Sequence, residues 1–169
     1  MPNEAPTDSS AAADATAFAG MLQTEHDALG AFVRVLQAEQ EVLIKGDADR
    51  LAELASDKAA QIELLSGLGL RRKRHLAAQN LPDNADGMRS WLRCNLACAT
   101  PAPKIWLDLL AYAETAQQIN ASNGLLIEER LRQNRLKLAV LQTAQASESV
   151  YQPDGRFYPP NTGRILGQV

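Results

Sequence analysis

The sequence predicts an all-α protein, an elongated antiparallel bundle or coiled coil of three long helices and one short helix with an irregular C-terminal tail. Hydrophobic residues make up 46% of the 169 residues but aromatic residues only 5%. The apolar fraction is therefore mainly alanine and leucine, which suits closely packed helices better than a roomy ligand cavity. A leucine recurs every seven residues near the N-terminus, which is a helical period. These leucines are Leu22, Leu29, Leu36 and Leu43.

The first two long helices are predicted to form a hairpin. Helix one spans residues 15–45, with the leucine row and a neighbouring apolar row, and its charged residues are expected mostly off this stripe. Gly46-Asp47 predicts the turn, because glycine permits a left-handed C-cap and aspartate caps a following helix. Helix two then spans residues 48–80 and folds back antiparallel because the connection is short. Its predicted stripe is Leu51, Leu54, Ala55, Lys58, Ile62, Leu65 and Leu68.

A basic run, Arg71-Arg72-Lys73-Arg74-His75, lies near the end of helix two. One interpretation is a surface for an acidic partner. The other is a solvated face near a helix C-terminus, where cations are favoured by the helix dipole. The position of the run favours the second interpretation.

A short helix over residues 88–98 and a third long helix over residues 103–144 complete the predicted bundle. Trp91, Leu92 and Leu96 form the apolar side of the short helix, and Pro103 suits the first turn of the next. The seam of helix three opens with Trp106, Leu109, Leu110 and Ala113. The predicted domains are a disordered leader (1–15), a helical domain (16–146) and a flexible tail (147–169).

The second half of helix three carries amides and a glycine on its apolar seam. One row has a seven-residue spacing, and a companion row lies beside it. Polar residues at seam positions cost stability and commonly set register or partner choice. This pattern indicates a helix that receives another protein. The two rows are Asn120, Ile127, Asn134 and Leu141, and Gly124, Leu131 and Leu138.

Several functional classes are disfavoured by the sequence. The net charge of −3 gives no basic face for nucleic acid. No nucleophile, phosphate-binding or zinc-protease motif occurs. The carboxylate pairs Glu128-Glu129 and Glu39/Glu41 are expected on a solvated face. An enzyme, a metal site or a cofactor is therefore not expected. Cys94 and Cys98 are expected as reduced thiols. Without a secretion signal or a long apolar run, a cytoplasmic protein with no membrane insertion is expected.

The stretch from Asn120 onward resembles the FlgN family of flagellar type III export chaperones. The family pattern is Asn-x-x-Asn-Gly, an apolar run with Glu, a further apolar position, Asn, and a closing Leu-x-Val-Leu. A similar tail follows, with a tyrosine, Asp-Gly and a Gly-Arg-Ile-Leu-Gly segment. The matching positions are Asn120, Asn123, Gly124, Leu125-Leu126-Ile127, Glu128, Leu131, Asn134, Leu138, Val140-Leu141, Tyr151, Asp154-Gly155 and Gly163-Arg164-Ile165-Leu166-Gly167.

The resemblance implies a cytoplasmic chaperone that binds the C-terminal helical segments of the hook–filament junction proteins FlgK and FlgL. It implies that these clients are kept from assembling early and are delivered to the export gate. The tail, with Tyr151, Asp154 and Gly155, would contact the cytoplasmic domain of the gate protein FlhA. The expected client-binding residues are Asn120, Asn123, Gly124, Ile127, Leu131, Asn134, Leu138 and Leu141.

Two alternatives remain open at the level of sequence. The chain could be a scaffold coiled coil that associates with itself through the Leu22–Leu43 stripe and has no need of the tail motif. A small helical enzyme is the other alternative, disfavoured because the catalytic constellation is missing. For each apolar residue of the helix-three seam, a place in the bundle core and a client contact are both compatible with the pattern.

Overall fold

A computed structural model describes residues 8–148 and confirms the all-α prediction. The helices are α1 (Asp8–Lys45), α2 (Ala48–Ala78), α3 (Ala85–Cys94) and α4 (Ala102–Glu148), with a 3₁₀ turn at Leu96–Cys98. No strand occurs in this part of the chain. The chain divides into two compact units, Met1–Leu126 and Ile127–Val169, and α4 contributes residues to both.

The predicted hairpin turn between α1 and α2 is confirmed. Gly46 adopts a positive φ of 79°, the left-handed conformation that glycine tolerates without a steric penalty. Asp47 is the N-cap of α2, and its Oδ1 accepts a hydrogen bond from the backbone N–H of Arg50 at 3.1 Å. This two-residue connection ends one helix and starts the next.

The leucine row of α1 is buried, and its residues pack in the interior of unit 1. Leu22 and Leu36 are fully covered, and Leu29 and Leu43 are at most 9% exposed. The row packs with residues from every other helix of the unit. The other large core side chains are Phe18, Val33, Leu76, Met88, Trp91, Ile105, Trp106 and Leu109.

Helix α1 starts earlier than predicted. It begins at Asp8 rather than at residue 15, so residues 8–15 are helical although they were predicted as part of the leader. The run Ala11-Ala12-Ala13 has the highest helix propensity, and Ala15 is only 1% exposed, so packing extends the helix in this direction. Residues 1–7 lie outside the described part of the chain.

Three predicted apolar stripes are partly wrong. In α2, Ala55 and Ile62 are exposed, and the neighbouring Gln61 faces inward instead. In α4, Leu110 and Ala113 are exposed. The buried stripes are narrower than predicted: Leu54 and Leu68 of α2 and Trp106 and Leu109 of α4 are buried as expected, and the flanking positions face solvent.

The third difference concerns the short helix predicted over residues 88–98, which in the structure is an α-helix followed by a 3₁₀ turn. Helix α3 ends at Cys94, and Leu96 lies in the 3₁₀ turn that follows, where it is 66% exposed. Asn95 accounts for this end, because its side chain donates to the Trp91 carbonyl at 2.9 Å and competes with the helical hydrogen bonds. Trp91 itself is buried, as predicted.

The entry to α3 is fixed by a side-chain cap and a close backbone contact. Asn84 Oδ1 accepts hydrogen bonds from the backbone N–H groups of Asp86 at 2.9 Å and Gly87 at 3.0 Å. Any Cβ at position 87 would overlap the carbonyl oxygen of Pro82, so only glycine fits there. This contact holds α3 against the loop and directs Met88 and Trp91 into the core.

An aromatic cluster joins α1, α2 and α3. The His75 ring stacks on Phe18 with centroids 3.9 Å apart and an interplanar angle of 11°, and it meets the edge of Trp91 at 6.0 Å. Partial burial lowers the pKa of His75 below its ordinary value of 6.5, while the charge of Asp14 opposes this shift. His75 is therefore an internal contact of the fold and not part of a solvated basic face.

Protonation of His75 is expected to destabilise the protein. Because its pKa is lower in the folded chain than in the unfolded chain, the unfolded chain binds more protons. The stabilisation is complete above about pH 6.5 and is lost as the pH falls below it. Urea denaturation at pH 7.5 and 5.5 measures this slope. His75→Phe keeps the ring stack and is expected to flatten the slope, and an unchanged slope in that variant would contradict this assignment.

Candidate functional site

A buried polar cluster ties α1, α2 and α4 together in unit 1. Asn123 is 1% exposed, and its Nδ2 donates to the Leu36 carbonyl at 2.9 Å and to Glu39 Oε2 at 2.8 Å. Lys58 of α2 donates to both carboxylate oxygens of Glu39, at 2.9 and 3.2 Å. Nearby, Gln40 of α1 donates to Ser122 at 3.1 Å. One carboxylate thus receives an amide from α4 and an ammonium from α2, which fixes the register of all three helices.

A second buried carboxylate pairs α1 with the basic run of α2. Glu25 is 6% exposed and accepts from Arg72 Nε at 3.0 and 3.4 Å. The guanidinium of Arg72 also lies 5.3 Å from the ring centre of Trp106, a cation–π geometry that reaches α4. The charged residues of α1 were expected mostly off its apolar stripe. Asp27, Arg34 and Glu41 are exposed as expected, whereas Glu25 and Glu39 are buried. They were missed because a buried charge is recognised only through its partner.

The basic run is divided between the bundle and the solvent. Arg72 and His75 are held inside as described above, and Lys73 forms an ion pair with Asp83 at 2.7 Å. Arg71 and Arg74 are exposed. Lys73 is exposed as well, so the solvated face that the sequence favoured holds for Arg71, Lys73 and Arg74, whereas Arg72 and His75 depart from it.

The predicted client-binding residues in the unit 1 part of α4 differ in their exposure to solvent. Asn123 is a core residue, whereas Asn120 and Gly124 are exposed, and a Cβ at position 124 would meet nothing within 4 Å. The inward row of α4 contains Ala116 and Asn123, one position earlier than Gly124. The hydrogen bonds of Asn123 therefore go to α1, and its side chain is not on the surface.

In unit 2, α4 carries the remaining helical residues of the predicted site on one exposed face. Their apolar members are 37 to 60% exposed although their spacing is that of a buried heptad seam. We call this face the unit 2 seam; its residues are Ile127, Leu131, Asn134, Leu138 and Leu141. Large apolar side chains in one exposed row, with an amide in the middle, are typical of a surface that binds another helix.

A charged cluster lies on the other side of the same helix segment. Arg132 donates two hydrogen bonds of 2.8 Å to Glu129, and Gln133 donates a third of 2.8 Å. These donors lower the pKa of Glu129 to about 2, so the pair stays charged at physiological pH. The side of α4 away from the unit 2 seam is thus charged at this level of the helix.

The predicted gate-binding residues Tyr151, Asp154 and Gly155 lie outside the described residues. So does the predicted tail from residue 149 onward.

The potential metal ligands, pockets and thiols of the described residues bear on an enzymatic or metal-binding role. No group of three or more potential metal ligands occurs among them. A pocket between α1 and α2, beside Met21, Glu25 and Leu68, measures about 40 Å³, which is room for water. Larger depressions, such as the one of about 640 Å³ beside Arg89 and Leu92, are open to solvent. Cys94 is exposed, Cys98 is half-buried, and both are free thiols. None of the helices in the described part has an apolar stretch long enough to cross a lipid bilayer.

Comparison with known protein families shows which family the chain belongs to. The model of the FlgN protein family matches residues 14–158, most of the sequence. The chain belongs to the FlgN family of flagellar export chaperones. The resemblance that the helix-three motif and the tail indicated is thereby confirmed, and the family gives the protein a chaperone role in flagellar biogenesis. No curated protein and no solved structure matches the chain.

The residues that the family model matches include both the buried polar cluster and the exposed unit 2 seam. The match includes Glu39, Lys58 and Asn123, and it also includes the unit 2 seam and Tyr151. The geometry divides these residues into two groups. Asn123 and its partners hold the helices together, whereas Leu131, Leu138 and their neighbours present apolar surface to the outside.

Proposed function

We propose that this protein is a cytoplasmic chaperone for the hook–filament junction proteins FlgK and FlgL. It binds their C-terminal helical segments on the unit 2 seam, keeps them from assembling early and delivers them to the flagellar type III export gate. The observation that carries the proposal is the exposed heptad row of α4 in unit 2, whose leucines and isoleucine are 37 to 60% exposed. No catalytic role is proposed.

The physical basis of client binding is burial of this row. An amphipathic client helix covers the row by laying its own apolar stripe along it. Each leucine that becomes fully buried contributes about 1.5 to 3 kcal/mol, before the cost of association is subtracted. A net affinity on the order of micromolar to nanomolar follows, which is tight enough for capture and weak enough for release.

The exposed amides supply specificity in this proposal. Asn134 lies in the middle of the unit 2 seam and offers two donors and an acceptor to a client helix, so it favours one register. Asn120 and Gly124, in unit 1, are proposed as further client contacts, where the glycine allows close approach of a client backbone. Asn123, which the sequence placed in this set, is assigned to the bundle instead because it is 1% exposed.

Delivery is assigned to the tail. We propose that Tyr151, with Asp154 and Gly155, binds the cytoplasmic domain of the gate protein FlhA. Tyrosine suits an anchor because it offers a large apolar area and one hydroxyl with few rotatable bonds.

Tyr151→Ala is expected to weaken binding to the cytoplasmic domain of FlhA at least about tenfold, the effect of losing an aromatic anchor of more than 1.4 kcal/mol. The melting temperature and client affinity are expected to stay unchanged, because in this proposal Tyr151 contacts the gate domain and neither the bundle core nor the client. Surface plasmon resonance with immobilised gate domain measures the effect, and Tyr151→Phe serves as the matched control for the hydroxyl. A variant that melts or loses its client would count against this assignment.

Thermal melting distinguishes the chaperone from a self-associating scaffold. A client segment that binds the folded chain raises the melting temperature in proportion to the logarithm of its concentration. A scaffold instead melts at a temperature that depends on its own concentration. The Leu22–Leu43 stripe proposed for self-association is at most 9% exposed, so pairing through it would require the α1–α2 hairpin to open. Stabilisation by FlgK or FlgL segments supports the proposal, and dependence on chain concentration alone would refute it.

A further inference from the structure

Charged side chains border the unit 2 seam along both of its edges. At about 100° of rotation per residue, Arg130 and Lys137 lie along one edge, each about 70 to 90° from the centre of the seam. Glu128 and Arg135 lie at similar angles along the other edge. These are the e and g positions of a heptad whose a and d positions form the seam, and residues at e and g decide which helices pair. Three of these four border residues are cations.

Two of the border cations, Arg135 and Lys137, are available to a partner. Both are exposed, and neither forms an ion pair with another described residue. By contrast, Arg132, away from the seam, is held by Glu129 through two hydrogen bonds of 2.8 Å. A depression of about 430 Å³ beside Leu131 and Arg135 is open to solvent, so a side chain of a docked helix has room to reach this arginine. The positive charge is local to the seam, because the whole chain has a net charge of −3.

The border charges disfavour the seam of a second copy as the partner. In a parallel pair of seams, Arg130 of one copy faces Arg135 of the second copy. In an antiparallel pair, Arg130 faces Lys137, and this repulsion offsets the attraction between Glu128 and Arg135. Like charges that face each other across an interface exclude wrong partners. A helix with carboxylates at its own border positions is instead attracted by three of the four border residues.

Building on the proposed function, on which this step rests, we propose that the unit 2 seam selects a client helix whose apolar stripe is bordered by aspartate or glutamate. The carboxylates of the client face Arg130, Arg135 and Lys137, and its apolar side chains cover the seam between them. Exposed ion pairs of this kind contribute modestly to affinity, but they speed the encounter and reject helices with basic borders. Burial of the seam supplies the affinity, and the border charges supply the selection.

Two synthetic helical peptides test the selection on the full-length chain. Both carry the same stripe of leucine and isoleucine, and one has glutamate and the other lysine at every border position, so neither peptide pairs with itself. We expect the glutamate peptide to bind at least about tenfold more tightly at about 0.05 M sodium chloride, and the ratio to shrink at about 0.5 M, where exposed charges are screened. Fluorescence anisotropy of labelled peptides measures both dissociation constants. Equal affinities, tighter binding of the lysine peptide, or no binding of either peptide would overturn the proposal.

Charge reversal in the chain shows whether the border residues make the selection. The combined variant Arg130→Glu, Arg135→Glu, Lys137→Glu is expected to invert the preference, so that the lysine peptide binds more tightly. None of the three residues belongs to the buried core, and thermal melting checks that the variant stays folded. The matched control reverses three exposed cations of unit 1, has the same net charge, and should keep the preference for glutamate. Its changes are Arg71→Glu, Arg74→Glu and Lys104→Glu. An inverted preference in this control as well would assign the effect to net charge and overturn the proposal.

The peptides and the natural clients give separate answers. A preference for glutamate in a chain that binds neither the FlgK nor the FlgL segment would support the selection and refute the client assignment. Saturable binding of these segments without a preference for glutamate would support the client assignment and refute the selection.

Discussion

Leu131→Asp combined with Leu138→Asp is expected to reduce the affinity for a FlgK or FlgL C-terminal segment at least about 100-fold. The two leucines are 50% and 58% exposed in the free chain and are neighbours in the unit 2 seam. Losing their burial on binding removes about 3 to 6 kcal/mol, and two carboxylates facing an apolar helix add a desolvation cost. Calorimetric titration of the variant against the segment measures the loss.

The fold is expected to survive this double change. Neither leucine belongs to the buried core, so the melting temperature should stay within a few degrees of that of the parent chain. Leu136→Asp is the matched control: the same substitution at similar exposure, 54%, on the side of the same helix that lies opposite Leu138. Client affinity should be unchanged in it. An equal loss of affinity in Leu136→Asp, or none in the double variant, would show that the seam is not the client site.

Asn123→Asp is expected to destabilise the folded chain by about 3 to 5 kcal/mol, the usual cost of breaking a buried charge network. The substitution replaces the Nδ2 donor with an oxygen at the position that lies 2.8 Å from Glu39 Oε2 and 2.9 Å from the Leu36 carbonyl. Two attractive contacts become repulsive, and Lys58 must then neutralise two carboxylates. Urea denaturation at pH 7 measures the loss.

Acid should partly restore the stability of Asn123→Asp, since protonating one carboxyl gives back a donor to the cluster. Asn120→Asp is the matched control, with the same chemistry on an exposed site three positions earlier in α4. It should change stability by no more than about 0.5 kcal/mol. If Asn123→Asp is as stable as the control, Asn123 does not hold the bundle together. Asn123 would then again be a candidate client contact, as the sequence predicted.

The sequence predicted the helices well because the strongest local signals agreed with the packing. The Leu22–Leu43 row is buried over its whole length, and the Gly46-Asp47 turn has the dihedral angle and the cap that these residue types indicate. Both rest on short-range rules, the helical period and the chemistry of a helix end. Neither needs knowledge of what the rest of the chain does.

The interior of the bundle was harder to predict because its polar residues depend on distant partners. Glu39 is buried because Lys58 and Asn123 reach it from two other helices, 19 and 84 residues away in sequence. Read alone, a glutamate on a helix belongs in water. Similarly, Asn123 and Asn120 have the same chemistry, and only the register of the buried row decides which one turns inward. Asn123 falls in the row of Leu109 and Ala116, which recurs every seven residues.

The candidate site was predicted as one set of residues, and the geometry divides it. The seam from Ile127 to Leu141 was predicted from a seven-residue spacing, and its members share one exposed face in unit 2. Exposure itself was not predictable, because a row of leucines has the same sequence pattern in a core and on a binding surface.

The most direct measurement is a calorimetric titration of the full-length protein with the C-terminal segment of FlgK from the same organism, repeated with FlgL. We expect saturable one-to-one binding with a dissociation constant on the order of micromolar or below. Leu131→Asp with Leu138→Asp should abolish this binding, and Leu136→Asp should keep it. No heat of binding with either segment, from a chain that melts cooperatively, would contradict this expectation and would leave the exposed seam of α4 without a client.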